Sequence, residues 1–262
     1  MTTVADVVGV MQQLAPTELA ESWDNVGLLI GDRTARVERA LTCLTVTPDV
    51  VAEAIEAQAS LLVSHHPLPF DPLRSITADT TVGRMLLDLI RHEIAVYSAH
   101  TAFDSARAGI NQHLAIGLDL QQIAPLTPSA DDPEVGAGRF GDVSEGLTLR
   151  ELAQRAKAFL GLDSARIVGP EDAAVSRVAV ACGSGGSLLG AAVSAGCNGF
   201  VTGEATFHSC LSAAAADVGL VLLGHFASER FAMESLADYL GDQLAGIKVQ
   251  PSRRDSDPFQ RV

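Results

Sequence analysis

The chain has 262 residues and a mass of 27.3 kDa, a length suited to two α/β lobes rather than one small module. With 47% apolar and 19% charged residues, it has material for a sizeable core, which excludes wholesale disorder. A formal net charge of −14, with lysine only at 157 and 248, argues against general nucleic-acid binding and against attraction to anionic membranes.

The opening segment carries Val4, Val7, Val8, Met11 and Leu14 at helical spacing before Pro16 ends it. It has no basic stretch and includes Asp6, so it does not read as a signal peptide, and a soluble cytoplasmic protein is expected. SWDNVGLLIGD (Ser22 to Asp32) reads as a turn followed by a short strand. ALTCLTVT, from Ala40, is a β-branched run, and Pro48-Asp49 opens a helix. LLVSHH (Leu61 to His66) is a buried strand, Thr80 to His92 a second helix, and EIAVYSAH (Glu93 to His100) a third strand. Gln121 to Glu145, rich in Pro, Asp, Ser and Gly, reads as a linker. Beyond it, a helix begins near Thr148 and SRVAVACGSGG is a strand entering a glycine-rich turn. SLLGAAVSAG is a helix, GFVTGE a strand end, CLSAAAADV a helix and GLVLLGH a strand, before a final helix from Ala227.

Strands alternating with helices predict an α/β fold with largely parallel sheets. The two halves repeat the same element order, with His66 and Glu204 at equivalent strand exits, and His100 and His225 likewise. Two pseudo-symmetric lobes are therefore expected: residues 1–124 with 220–262, and residues 125–219. Cys43, Cys182, Cys197 and Cys210 are scattered and read as small buried hydrophobes rather than a disulfide framework.

Function in open α/β sheets gathers at the carboxyl ends of strands. Those ends deliver Ser64-His65-His66, His100-x-x-x-Asp104, Gly203-Glu204 and His225-x-x-x-Glu229. His225 and Glu229 fall on one face at the start of a helix, whereas His100 and Asp104 are expected to bracket a loop. Neighbours on an extended strand point apart, so His65 and His66 could not easily serve one small ion but could serve two adjacent ones. Nitrogen and carboxylate donors suit zinc, manganese, iron, nickel or cobalt. His92, His113 and His208 read as ordinary structural residues.

SWDNVGLLIGD, the SHHP of Ser64 to Pro67, SAHTAFD (Ser98 to Asp104), TGE (Thr202 to Glu204), GHFASE (Gly224 to Glu229) and DPF (Asp257 to Phe259) together resemble the Nif-three-like family. Its members are often labelled GTP cyclohydrolase type 2 homologues. The blocks run in order from residue 22 to 259, so the resemblance covers essentially the whole chain. It implies a Nif-three-like fold with a dinuclear centre of two divalent transition-metal ions. The ligands it implies are His65, His66, Asp104, His225 and Glu229, with Glu229 as the bridge. It implies that His100 orients a ligand or the substrate more than it binds metal directly, with direct ligation left open as the alternative. It also implies assembly as a toroidal hexamer with the metal sites facing an internal cavity. The chain departs from the usual pattern in reading HTAFD for HTNLD and in having SARAGIN where a proline-glycine stretch is common. The aspartate is retained.

Glu204 suits both a proton shuttle at the metal site and a cap for the following helix. Trp23, Asp24 and Asn25 are candidates for substrate contact, with core anchoring and turn formation as the alternative roles. CGSGGS (Cys182 to Ser187) lacks the pattern of a phosphate-binding P-loop and reads as a tight turn. Arg253, Arg254 and Arg261 read as solvated charge. The resulting expectation is a metal-dependent hydrolase that uses a metal-bound hydroxide on an unidentified small molecule. A metal-handling or chaperone-like protein without catalysis, and an interaction scaffold, stand as alternatives.

Overall fold

In the computed structural model, which describes residues 1–260, the amino-terminal half holds α1 (Val4–Leu14), β1 (Gly27–Ile30), β2 (Arg39–Cys43), α2 (Pro48–Glu56), β3 (Leu61–Ser64), α3 (Thr81–Arg91), β4 (Ala95–Ser98), α4 (His100–Ser105) and α5 (Ile110–Gly117). The middle of the chain holds β5 (Leu120–Ala124), β6 (Thr127–Pro128), β7 (Gly136–Ala137), β8 (Arg139–Thr148), α6 (Leu149–Leu160), β9 (Arg166–Val168) and β10 (Ala174–Ala181). It ends with α7 (Leu189–Ser194), β11 (Gly199–Thr202), α8 (Phe207–Ala215), β12 (Gly219–Leu222), α9 (His225–Arg230), α10 (Ala232–Gln243) and β13 (Lys248–Pro251). Arg261 lies outside the described residues. No described helix is long and apolar enough to cross a membrane.

Threonine starts many of these helices. Thr3 and Thr148 form capping boxes with Asp6 and Glu151, while Thr47, Thr80 and Thr206 each accept a first-turn N–H. Gly161, at φ +66°, closes α6 in the left-handed conformation that a side chain would disfavour.

The chain folds into two compact units, Met1–Phe103 with Ala232 onward, and Asp104–Phe231. Segments 104–124 and 220–231 thus belong to the second unit, not to the first lobe to which the sequence assigned them. The reason is strand pairing: β5 bonds to β8, and β12 to β11 and β9.

The first unit contains the sheet β1-β4-β3-β2-β13, parallel except for the β1–β4 pair. Leu41, Leu62 and Val96 on its strands pack with Val50, Ala54, Met85 and Leu89 from α2 and α3. The carboxyl-terminal segment closes the exit of β2, where Ser252 N–H donates to Thr42 O at 2.7 Å and Asp255 accepts from the Leu44 N–H.

The second unit contains the sheet β5-β8-β10-β11-β12-β9. Only its centre, β10-β11-β12, is parallel; β5, β8 and β9 pair antiparallel, so this sheet is mixed. The supposed linker at 121–145 supplies β5, β6, β7 and most of β8. Alternation along the strands covers both faces. Val178, Val180, Val201 and Val221 meet Leu152 and Ala156 of α6, whereas Ala179, Phe200 and Leu220 meet Ala192 of α7 and Ala213 of α8. Three consecutive parallel strands with intervening helices recur in both units, β2-β3-β4 in the first and β10-β11-β12 in the second. None of the four cysteines forms a disulfide among the described residues, and Cys43 and Cys197 are buried.

Candidate metal centre

In the first unit the donors leave the ends of β3 and β4. The strand conformation stops at Ser64, and the chain bends through His65 and His66. Ser64 Oγ donates to the His66 carbonyl at 2.8 Å, and Ser98 Oγ donates to the His65 carbonyl at 2.6 Å. This bend brings the two rings together, with centroids 5.1 Å apart, instead of directing them to opposite faces. The alternation rule fails here because it holds only within the ladder. One ring nitrogen from each of His65, His66 and His100 lies within 4.8 Å of the others. Thr45 Oγ1 bonds His66 Nδ1 at 2.7 Å, which leaves Nε2 for the shared space.

His100 opens α4 at φ +23°, a conformation uncommon for a residue with a side chain. His100 and Asp104 therefore lie on a short helix, not around a loop. The His100 Nδ1–H faces Asp24 Oδ1 at 2.7 Å, and Asp24 Oδ2 accepts from Thr101 N–H at 3.1 Å and from Thr101 Oγ1 at 2.5 Å. Burial alone raises an acid's pKa, but the hydrogen bonds from His100 and Thr101 outweigh it and bring Asp24 down to about 2. A fixed carboxylate on Nδ1 selects the tautomer that presents Nε2 as a lone pair. Asn25 is spent on structure, with Nδ2 donating to Pro69 O at 2.8 Å. Of the three residues expected to touch substrate, only Trp23 is turned to solvent, 62% exposed. Its ring centroid lies 6.2 Å from Phe70 and 6.0 Å from His100.

In the second unit, α9 carries His225 and Glu229 one turn apart, with Nε2 and Oε2 separated by 3.0 Å. On the other side of the ring, Nδ1 lies 3.3 Å from Glu204 Oε2. The hydrogen bond to Glu229 raises His225 against the opposing effect of burial, and Glu204 adds to it, up to about 9. A cation at this ring must therefore displace a tightly held proton. Thr206, not Glu204, caps α8. That removes the bland role considered for Glu204, whose carboxylate faces His225 and Ser184 Oγ.

Sequence reasoning passed over three supporting residues. Gly183 stands at φ +59°, and a Cβ there would lie 2.0 Å from Glu229 Oε1, so the glycine leaves room for the carboxylate. Ser228 Oγ accepts from Gly183 N–H at 2.9 Å and donates to the His225 carbonyl at 2.8 Å. Asn111 donates to the Asp104 carbonyl at 3.0 Å and accepts from Cys182 N–H at 2.7 Å, joining the end of α4 to the exit of β10. The only advance sign of these contacts was the CGSGGS turn itself. Burial, reinforced by the charges of Asp104 and Glu229, drives the Cys182 thiol well up.

Imidazole and carboxylate donors at strand exits, with space kept for Glu229, fit divalent transition metals. The fold and these donors define an α/β protein with a candidate metal-binding cluster. The chain matches the family Duf34/NIF3 (NGG1p interacting factor 3) over residues 2–258, and it belongs to that family. A protein named GTP cyclohydrolase 1 type 2 homolog from Streptomyces coelicolor is 38% identical over 272 residues, covering 99% of this chain and 94% of the relative. One of the same name from Clostridium perfringens is 32% identical over 258 residues, 98% of each chain. The solved structure of a Bacillus cereus protein related to NIF3 has a TM-score of 0.92 at 24% identity, covering 100% of this chain and 99% of that one. That likeness is one of fold.

Proposed function

We propose that this protein is a metal-dependent hydrolase whose dinuclear centre would be held by His65, His66, Asp104, His225 and Glu229. The observation that carries the reading is the convergence of ring nitrogens from His65, His66 and His100 within 4.8 Å at a strand end. Family membership and the His225–Glu229 pair of α9 support it. When bound, the ions supply Lewis acidity, polarising a substrate oxygen and lowering the pKa of water.

The residues of the chain do the remaining work. Asp24 fixes the His100 ring through Nδ1, so that Nε2 orients a ligand or the substrate. Glu204 Oε2, 3.3 Å from His225 Nδ1, takes the proton released as water attacks and returns it to the leaving group. Trp23 offers its exposed face to the substrate. The resemblance further supports a cytoplasmic homohexamer, which light scattering on the purified protein tests.

Glu204→Gln separates the enzyme from a protein that only handles metal. Retained metal with lost turnover, across a panel of phosphoesters, nucleotides and cyclic amides, is the expected result. A fully loaded wild-type protein silent on that panel would favour metal handling instead.

A further inference from the structure

The second unit holds a cavity of about 450 Å³ lined by Arg166, Ser184, Ser187, Glu204, Thr206 and Ser209. Its position follows from the sheet. Ser184 and Ser187 lie in the turn after β10, and Glu204 and Thr206 follow β11. Arg166 starts β9 and pairs with Leu222, the last residue of β12. The cavity thus opens at the carboxyl edge of the three parallel strands, where α/β sheets gather their ligands. Its volume is that of a small-molecule site.

The charge pattern narrows the ligand. Arg166 is exposed, and among the described residues it makes no side-chain hydrogen bond or ion pair. In a chain of net charge −14, a guanidinium without a carboxylate partner is available to an anion. The rest of the polar lining is hydroxyls apart from the single carboxylate of Glu204, with Thr206 Oγ1 and Ser209 Oγ 2.9 Å apart. The other charged group of the lining, Glu204, is already engaged with Ser184 and His225. The first turn of α8 opens beside Thr206, and its N–H groups add to the donors. A guanidinium fork with several O–H and N–H donors offers more bonds than the two oxygens of a carboxylate can use. It matches the oxygens of a phosphate.

We propose that this cavity seats the phosphate group of a phosphorylated small-molecule substrate on Arg166 and the hydroxyls of Ser187, Thr206 and Ser209. The charge of Glu204 repels the phosphate from its own end of the cavity. The ligand therefore lies with its anion at Arg166 and a donor-bearing end toward Glu204 and His225. That orientation rests on the role proposed above for Glu204, whereas the phosphate seat does not.

The test is calorimetric titration of chelator-treated and metal-loaded protein with inorganic phosphate, then with glycerol 1-phosphate and glycerol. The metal-free protein is expected to bind both phosphates and not glycerol. Arg166→Gln should weaken that binding roughly tenfold or more, as loss of a charge-assisted contact requires, and Ser187→Glu should abolish it by repulsion. Arg166→Lys should recover part of it. Near-UV circular dichroism matching the wild type keeps misfolding out of the comparison. Unchanged phosphate affinity in Arg166→Gln, or binding that appears only with metal and ignores Arg166, would overturn the proposal and leave the dinuclear reading intact. Arg166-dependent phosphate binding in a protein that takes up no metal would keep the seat and remove the metal centre.

Discussion

The side chain of Asp24 has no exposed surface left for a substrate, because both oxygens are committed to His100 and Thr101. Its work is to hold one imidazole in one tautomer. Asp24→Asn should weaken metal affinity or turnover by roughly tenfold or more, because His100 would no longer be held to orient a ligand or the substrate, which dye competition and steady-state rates measure. Stability should respond to pH in a defined direction. A carboxyl held at about 2, below its usual 3.8, contributes stability that is complete above the usual value and is lost as pH falls toward 2. The stability gap between wild type and Asp24→Asn, measured by urea unfolding, should therefore be wide at pH 5 and narrow toward pH 2. A gap that persists undiminished would mean that the Asp24 contacts do not depend on its charge. The sequence could place Asp24 in a turn but not assign it to His100, since the partner lies 76 residues away. The His65–His66 bend escaped for a related reason. The side-chain hydrogen bonds from Ser64 and Ser98 that set it are tertiary contacts, invisible to a strand period of two.

At the scale of elements, the site depends on where short helices begin and what braces them. Glu229 and His225 meet because α9 places them one turn apart, a spacing that was legible in the sequence. The room for Glu229 was not. Gly183→Ala would drive a Cβ to 2.0 Å from Glu229 Oε1 at a positive φ. Metal affinity should fall by roughly tenfold or more while the far-UV spectrum is kept; unchanged metal content would show that the carboxylate has no fixed place to lose. Arg139 braces the far end of α4. Although 1% exposed, it donates to the carbonyls of Gly136 and Gly138 at 2.7 Å and of Ala106 at 2.5 Å, and to Gln112 Oε1 at 2.9 Å. Burial brings its guanidinium down to about 10, still protonated at neutral pH. Arg139→Met leaves several buried acceptors without donors and should cost about 3 kcal/mol or more, read as a lower midpoint in urea. Residues around Arg139 read as a linker because prolines and acidic residues mask the alternation of β8. The strand is recognisable only once β10 is beside it, as Arg177 is with Asp142 and Val178 with Gly141.

At the scale of the molecule, the α/β class and the repeated strand–helix order were legible because β3, β4, β11 and β12 are short apolar runs with a donor residue just beyond the exit. The antiparallel strands of the second sheet were not, because β9 is three residues long and carries no period, and β5 and β8 fall largely in the stretch that reads as a linker. Charge bears on the site as well. In a chain of −14, the carboxylates of Asp104 and Glu229 crowd the thiol of Cys182, and divalent cations would relieve that field. The metal-loaded protein should therefore melt higher than the chelator-treated protein, by linkage to ions that bind only the folded state; identical melting would mean that the ions bind elsewhere or not at all. The most direct measurement is an anomalous-difference map from crystals of the metal-loaded protein. The account predicts two peaks ~3.5–4 Å apart, contacted by His65, His66, Asp104 and His225, with Glu229 touching both. A single peak, or peaks that these residues do not contact, would contradict it.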